Sequence, residues 1–402
     1  MAAPTKRLPQ VEFIALTAMI MAVTAFSIDA MLPALPEIAS ELSPQSPNKA
    51  QLIVTSFVFG MGLGTFVTGP LSDAFGRRRV VIGGVVLYLV GTVLAWLADS
   101  LELILAARVI MGLGAAGPRV AAIAITRDLY SGRDMARIMS FVMAVFSLAP
   151  AVAPTVGHYI ILASDWRGIF VAFGVFVLIP AVWLYLRQPE TLAPENRRPM
   201  NINAMMAATK EMFTHRTASL SIFIQTLTLG VLFTVISSTQ QVFDQTFGRG
   251  DSFHFWFAGI AVVASTGSLL NARLVGRLGM RAIIRGMYMS QIGITFALLL
   301  VYALDLPEWF TFASYVIWVT SIFFQAGMTI GNLNALAMEE MGHIAGLAAS
   351  VIAAVSTIGA VMLAVPAALM FNGTPVPMAI ATLMMVSTAL FLTLKIKRPG
   401  EE

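Results

Sequence analysis

Three ionisable residues stand where charge is costly. Asp29, Arg108 and Arg119 fall inside long apolar runs, and each costs roughly 2.5–3.5 kcal/mol at the centre of a membrane-spanning helix. A compensating reason must keep them there. One carboxyl and two guanidiniums can pair and part, carry a proton, or hold an anion. Other chemistries find no support. The chain has no cysteine, so disulfides, thiol chemistry and Cys-ligated metals are excluded. No His/Asp/Glu metal cluster, Ser/His/Asp set or G-x-x-x-x-G-K-S/T phosphate loop is present. An enzyme, a metal and a cofactor are therefore not expected.

The elements that must position these charges are apolar and long. Of 402 residues, 58% are hydrophobic and 11% charged, against about 25% charged in soluble chains. Runs of about 20 apolar residues cross a ~30 Å hydrocarbon layer. Such runs occupy 12–36, 50–71, 79–97, 101–126, 137–161 and 166–186, then 217–243, 253–275, 282–303, 308–334, 344–370 and 376–394. The first follows Lys6 and Arg7, as a signal peptide would, but continues past twenty residues with no small-x-small cleavage site, so it reads as a spanning helix. The polar stretch 187–216, with Pro189, Pro194 and Pro199, divides the chain six plus six.

Basic residues fix the expected orientation. With Met1 in the cytoplasm, 20 of the 25 Lys and Arg fall on cytoplasmic segments, from Lys6 and Arg7 through Arg77–Arg79, Arg127, Arg133, Arg137, Arg187, Arg197, Arg198, Lys210, Arg216, Arg273, Arg277, Arg281 and Arg285 to Lys395, Lys397 and Arg398. Only Lys49, Arg167 and Arg249 fall on the other side. That is the positive-inside pattern, and it reads the net charge of +4 as topology rather than a nucleic-acid surface. The halves echo each other. Gly76-Arg77-Arg78 after the second run returns as Gly279-Met280-Arg281 after the eighth, as parallel six-helix repeats would. The first run passes outward with Asp29 about seven residues before its end, and the fourth passes inward with Arg108 about seven residues after its start. The two lie at similar depth. A carboxylate that pairs with Arg108, releases it and takes up a proton would couple transport to the proton gradient; a permanent ion pair that fixes packing is the alternative.

Several motifs carry a family likeness. Gly69-Pro70-Leu71-Ser72-Asp73-Ala74-Phe75-Gly76-Arg77-Arg78-Arg79 resembles the G-x-L-x-D-x-x-G-R-R loop of the major facilitator superfamily. Arg108-Val109-Ile110-Met111-Gly112-Leu113-Gly114 is similar to the R-x-x-x-G-x-G motif of its proton-driven members. Ser27-Ile28-Asp29-Ala30-Met31-Leu32-Pro33-Ala34-Leu35-Pro36 looks like the T-D-M-Y-L-P-x-L-P of the bicyclomycin/chloramphenicol-resistance branch of 12-helix drug:proton antiporters. The likeness extends from about residue 12 to 395.

The resemblance implies an all-α polytopic membrane protein with two six-helix bundles, 1–186 and 217–402, around a central cavity, joined by a cytoplasmic linker, 187–216. It implies a secondary active transporter in a bacterial-type inner membrane, both termini cytoplasmic, monomeric, with a small molecule, protons and the lipid bilayer as partners. The expected function is proton-coupled export of small amphiphilic drugs or metabolites by alternating access; proton-coupled symport or exchange of an organic anion or amino-acid-like solute stays open. Asp29 and Arg108 are the expected coupling pair. Asp73 is expected to hold the inner face shut, pairing with arginines and with the N-terminus of the eleventh helix, while Gly69 and Gly76 permit close packing and a sharp turn beside Arg77 and Arg78.

Some positions depart from the pattern. Arg119 stands where the branch resemblance implies a small or apolar residue, eleven residues after Arg108 and so on the same helix face about 16 Å away. Backbone carbonyls and water could satisfy it, it could snorkel to the cytoplasmic surface, or it could bind an anionic substrate group. In the fifth run Pro150, Pro154 and Gly157 follow a G-P-x-x-G-G antiporter motif in which Ala153 and His158 replace two glycines; prolines four apart are expected to bend this helix. Ser237-Ser238-Thr239-Gln240-Gln241 is expected to border the cavity, with Gln240 a candidate substrate contact, or to reach water at its outer half, while Gln325, Asn332 and Asn334 are candidate substrate contacts or interhelical hydrogen bonds. His158, His215, His254 and His343 sit mostly at run ends and read as solvated or interfacial.

Overall fold

The computed structural model describes residues 8–396. Lys6, Arg7, Lys397 and Arg398, and the orientation of the termini, lie outside the described residues. Among those residues all regular structure is helical, and twelve helices are long and apolar enough to cross a membrane. Fourteen α-helices are present: α1 (Gln10–Asp29), α2 (Leu35–Leu42), α3 (Leu52–Phe75), α4 (Arg77–Trp96), α5 (Leu101–Leu129), α6 (Gly132–Ala163), α7 (Trp166–Arg187), α8 (Ile202–Thr214), α9 (Arg216–Gln241), α10 (Phe253–Leu278), α11 (Met280–Ala303), α12 (Glu308–Met338), α13 (Ala345–Leu369) and α14 (Val376–Leu394).

Two elements differ from the sequence reading. The first run does not continue to residue 36 as one helix. It ends at Asp29, turns through Ala30 and Met31, passes through a short 3₁₀ segment, Leu32–Ala34, and resumes as α2. Pro33 lacks the amide proton that an unbroken ladder back to Asp29 needs, while Pro36 falls in the first turn of α2, where no donor is required. The polar stretch 187–216 also contains an unforeseen helix, α8, which buries Met205, Ala208 and Met212.

The chain forms two compact units, Met1–Pro44 with Ser56–Asn203, and Gln45–Thr55 with Ala204–Glu402. In the first, α4 packs along α5, and α1 lies against α6, α7 and α5. In the second, α9 is held by α13, α12 and α14, and α12 also packs on α10 and α11. Internal duplication shows in matched hydrogen bonds. Ser27 Oγ and Tyr88 Oη lie 2.6 Å apart in the first unit, and Thr228 Oγ1 and Tyr288 Oη 2.6 Å apart in the second. The two glycine joints match as well: Gly76 has φ 98° and ψ 154°, and Gly279 has φ 80° and ψ 153°, each opening the next helix.

Candidate functional site

The charges of the first unit are held by α1, α3, α5 and α7. Arg108 is fully buried. Its Nη2 donates to the Ser27 carbonyl at 2.8 Å, and its guanidinium stacks over Phe57 at 4.5 Å and Phe173 at 5.7 Å. The Ser27 carbonyl is available because it belongs to the last turn of α1, where acceptors lack intrahelical donors. Asp29, two residues on, is 4% exposed. No hydrogen bond or ion pair reaches its carboxylate among the described residues. The two adjoining helices thus bring Asp29 and Arg108 into one neighbourhood, yet the guanidinium rests on backbone and aromatic faces instead of on the carboxylate.

Gly157 fixes the far side of this neighbourhood. A Cβ built on it would stand 2.2 Å from the Ala30 carbonyl oxygen, so α6 touches the chain just where α1 ends. Helix α6 runs unbroken through Pro150 and Pro154. Arg119 is partly buried, and its Nη1 lies 3.5 Å from Met61 Sδ.

The loop between α3 and α4 is a separate charged cluster. Arg77, 4% exposed, donates to Asp73 Oδ1 at 2.5 Å, Ser72 Oγ at 3.0 Å and Asp128 Oδ2 at 3.0 Å. Arg78 bonds the Tyr185 carbonyl and covers its ring at 4.2 Å. Gly69 precedes Pro70 within α3, and Gly76 takes the left-handed turn that an L side chain resists. The sequence reading missed Glu190. Its carboxylate accepts from the amides of Arg77 at 3.0 Å and Arg78 at 3.1 Å, capping the first turn of α4, where Gly76 has no side chain to do so. Arg198 N also donates to the Asp73 carbonyl at 3.1 Å. Only the Glu-Thr after the sixth run could have hinted at this, and nothing local to 69–79 does. Replacing Glu190 with alanine is expected to lower stability by about 0.5–2 kcal/mol, the usual scale of a lost helix cap, read as a lower melting temperature of the purified protein.

In the second unit the three amides have different fates. Asn332 is committed to an interhelical pair, donating to Asn271 Oδ1 at 2.8 Å and to the Met328 carbonyl at 2.9 Å. Gln325 and Gln240 are buried, and each Oε1 lacks a hydrogen-bond partner among the described residues, as does that of Gln225. Much of the polar string at the end of α9 is already engaged. Ser238 Oγ donates to Gln51 Oε1 at 2.6 Å, Gln51 donates to Gln241, Gln241 to Asn48 Oδ1 at 2.7 Å, and Asn48 to the Phe371 carbonyl at 2.8 Å. His254 is buried at 4% exposure, not solvated. His215 and His343 lie 2.6 and 2.8 Å from Glu340 and Glu211.

A family model described as Major Facilitator Superfamily matches residues 17–364. The chain belongs to the Major Facilitator Superfamily. Within this superfamily it is 30% identical, over 339 residues and 84% of each chain, to a protein named bicyclomycin resistance protein homolog from Haemophilus influenzae. It is also 30% identical to the multidrug resistance protein MdtL of Escherichia coli over 56% of each chain, and to a chloramphenicol resistance protein of Pseudomonas aeruginosa over 42% of this chain and 40% of the other. The fold matches that of the xylose transporter XylE from E. coli, with a TM-score of 0.78 over 98% of this chain and 99% of that one at 13% identity. As a superfamily member the chain is a multi-pass membrane transporter.

Proposed function

We propose that the protein is a proton-coupled exporter of small amphiphilic drugs or metabolites, working by alternating access in a bacterial inner membrane with both termini cytoplasmic. The observation that carries this reading is the nearness of a buried carboxylate, Asp29, with no bond among the described residues, to a buried guanidinium, Arg108, that is bonded two residues away on the same helix end. A carboxylate with no fixed partner is placed to take up and release a proton, while the guanidinium can move between the Ser27 carbonyl and the carboxylate. The drug-resistance names of the relatives supply the export direction, and the lysine and arginine distribution supplies the orientation. In this reading the Asp73–Arg77–Asp128 cluster gates the cytoplasmic face, and Gln240 and Gln325 offer polar contacts to substrate. Asn332, spent on Asn271, instead positions α12 against α10.

The test is flux in proteoliposomes. An imposed pH gradient should drive chloramphenicol against its own gradient, with protons moving oppositely, and collapse of the pH gradient should stop it. Co-directional movement of proton and solute would favour symport, a reading that Arg119 supports by offering a site for an organic anion.

A further inference from the structure

Arg119 is a cation with no counter-charge among the described residues. Helix α5 spans Leu101–Leu129, so Arg119 lies eighteen residues from one end and ten from the other. No carboxylate lies within ion-pairing distance of it among the described residues, and its one hydrogen-bond contact is the Met61 thioether at 3.5 Å, a weak acceptor. Arg108, by contrast, has a carbonyl and two aromatic faces.

The direction of the side chain decides between the explanations open for it. Helices α3 and α5 run side by side with their registers locked: a Cβ on Gly112 would meet Phe57 O at 2.0 Å and Met61 N at 2.7 Å, and one on Gly64 would meet Leu113 O at 2.8 Å. The backbone of Met61 is therefore level with Gly112, seven residues or about 10 Å back along α5 from Arg119. To touch Met61 the guanidinium reaches back toward Leu101, as helical side chains tilt, and away from the nearer end of α5 at Leu129. That is the reverse of snorkelling. The guanidinium sits near the middle of the span, beside the Met61 sulfur, where an unpaired cation is costly.

We propose that Arg119 is the anion-binding subsite of the transporter, and that its ligands carry a carboxylate or a comparable single anionic group beside an apolar body. The bound anion supplies the counter-charge that the described residues do not, and Met61, 5% exposed, gives the subsite an adaptable apolar wall. The inference rests on the transport reading of this site but not on the direction of transport.

The experiment uses the purified full-length protein and two fluorescent probes of equal shape, dansylglycine and dansylglycinamide. Wild type should bind the acid at least about tenfold more tightly than the amide, on the scale of 1.4 kcal/mol. Arg119→Gln should erase the difference, and Arg119→Lys should keep part of it. Met61→Glu provides an internal counter-anion next to Arg119, so it should erase the acid preference while preserving or raising the melting temperature; it serves even if Arg119→Gln folds poorly. Equal wild-type affinity for both probes, or an acid preference surviving in Arg119→Gln and Met61→Glu, overturns the subsite. Absence of pH-driven flux with the acid preference intact would instead remove the proton-coupled reading and leave the subsite standing.

Discussion

Asp29→Asn is expected to abolish proton-driven transport by about 100-fold or more, the scale lost when a positioned proton-transfer group is removed, while the protein stays folded. Asparagine keeps the shape of the side chain. No hydrogen bond to the carboxylate is broken among the described residues, and the neighbouring guanidinium is already engaged with the Ser27 carbonyl. Replacing a buried, unpaired acid with a neutral amide removes a desolvation cost instead of adding one. The melting temperature should therefore move by less than about 3 °C, roughly 1 kcal/mol in a unit of this size. Downhill exchange of labelled substrate, with no pH gradient, should survive. The measurement is pH-gradient-driven uptake beside counterflow in the same vesicles. Wild-type proton-driven rates in this variant would remove Asp29 from the coupling role.

Arg108→Gln is the second large effect, and its signature differs. The change removes a charge-assisted hydrogen bond of about 1.5–3 kcal/mol and a cation–π contact of roughly 0.5–2 kcal/mol. It also relieves the cost of about 2.5–3.5 kcal/mol for a guanidinium deep in the span. These oppose one another, so the net change in stability should stay within about 2 kcal/mol, and glutamine can still donate toward the Ser27 carbonyl. Transport has no such offset. Loss of the mobile positive charge should lower both proton-driven flux and counterflow, again by about 100-fold, because the empty carrier can no longer stabilise ionised Asp29. A folded protein with neither activity is the expected result. If Arg108→Gln unfolds the protein and Arg108→Lys restores fold and transport together, the residue is a packing element and the coupling pair is misassigned.

The spans were legible in the sequence because twelve windows of twenty apolar residues leave little freedom under the hydrocarbon thickness. The proline-imposed stop of α1 was readable in principle from Pro33, but the surrounding hydrophobicity masked it. Depth was legible too: counting residues put Asp29 and Arg108 at one level. Azimuth was not. Residues 27 and 29 differ by about 200° around a helix, so equal depth does not tell whether a guanidinium meets a carboxylate or a carbonyl. Arg119 shows the same gap, since counting places its Cα while the reach of a long side chain depends on which neighbour it finds. Glu190 was invisible for another reason. Its partners, the amides of Arg77 and Arg78, are more than a hundred positions earlier, and backbone donors leave no signature in side-chain patterns.

The grip of Glu190 and Arg198 on the 69–79 loop shortens the leash between the two halves. Counted by sequence, the connector is 187–216. Counted from the Arg198 amide bonded to Asp73 to the first residue of α8, it is Pro199, Met200 and Asn201. Four peptide steps at full stretch reach about 14 Å. A transport cycle that needs more slack than this must first part the Arg198 amide from the Asp73 carbonyl, and only then does the hold of Glu190 on the α4 amides become the next catch.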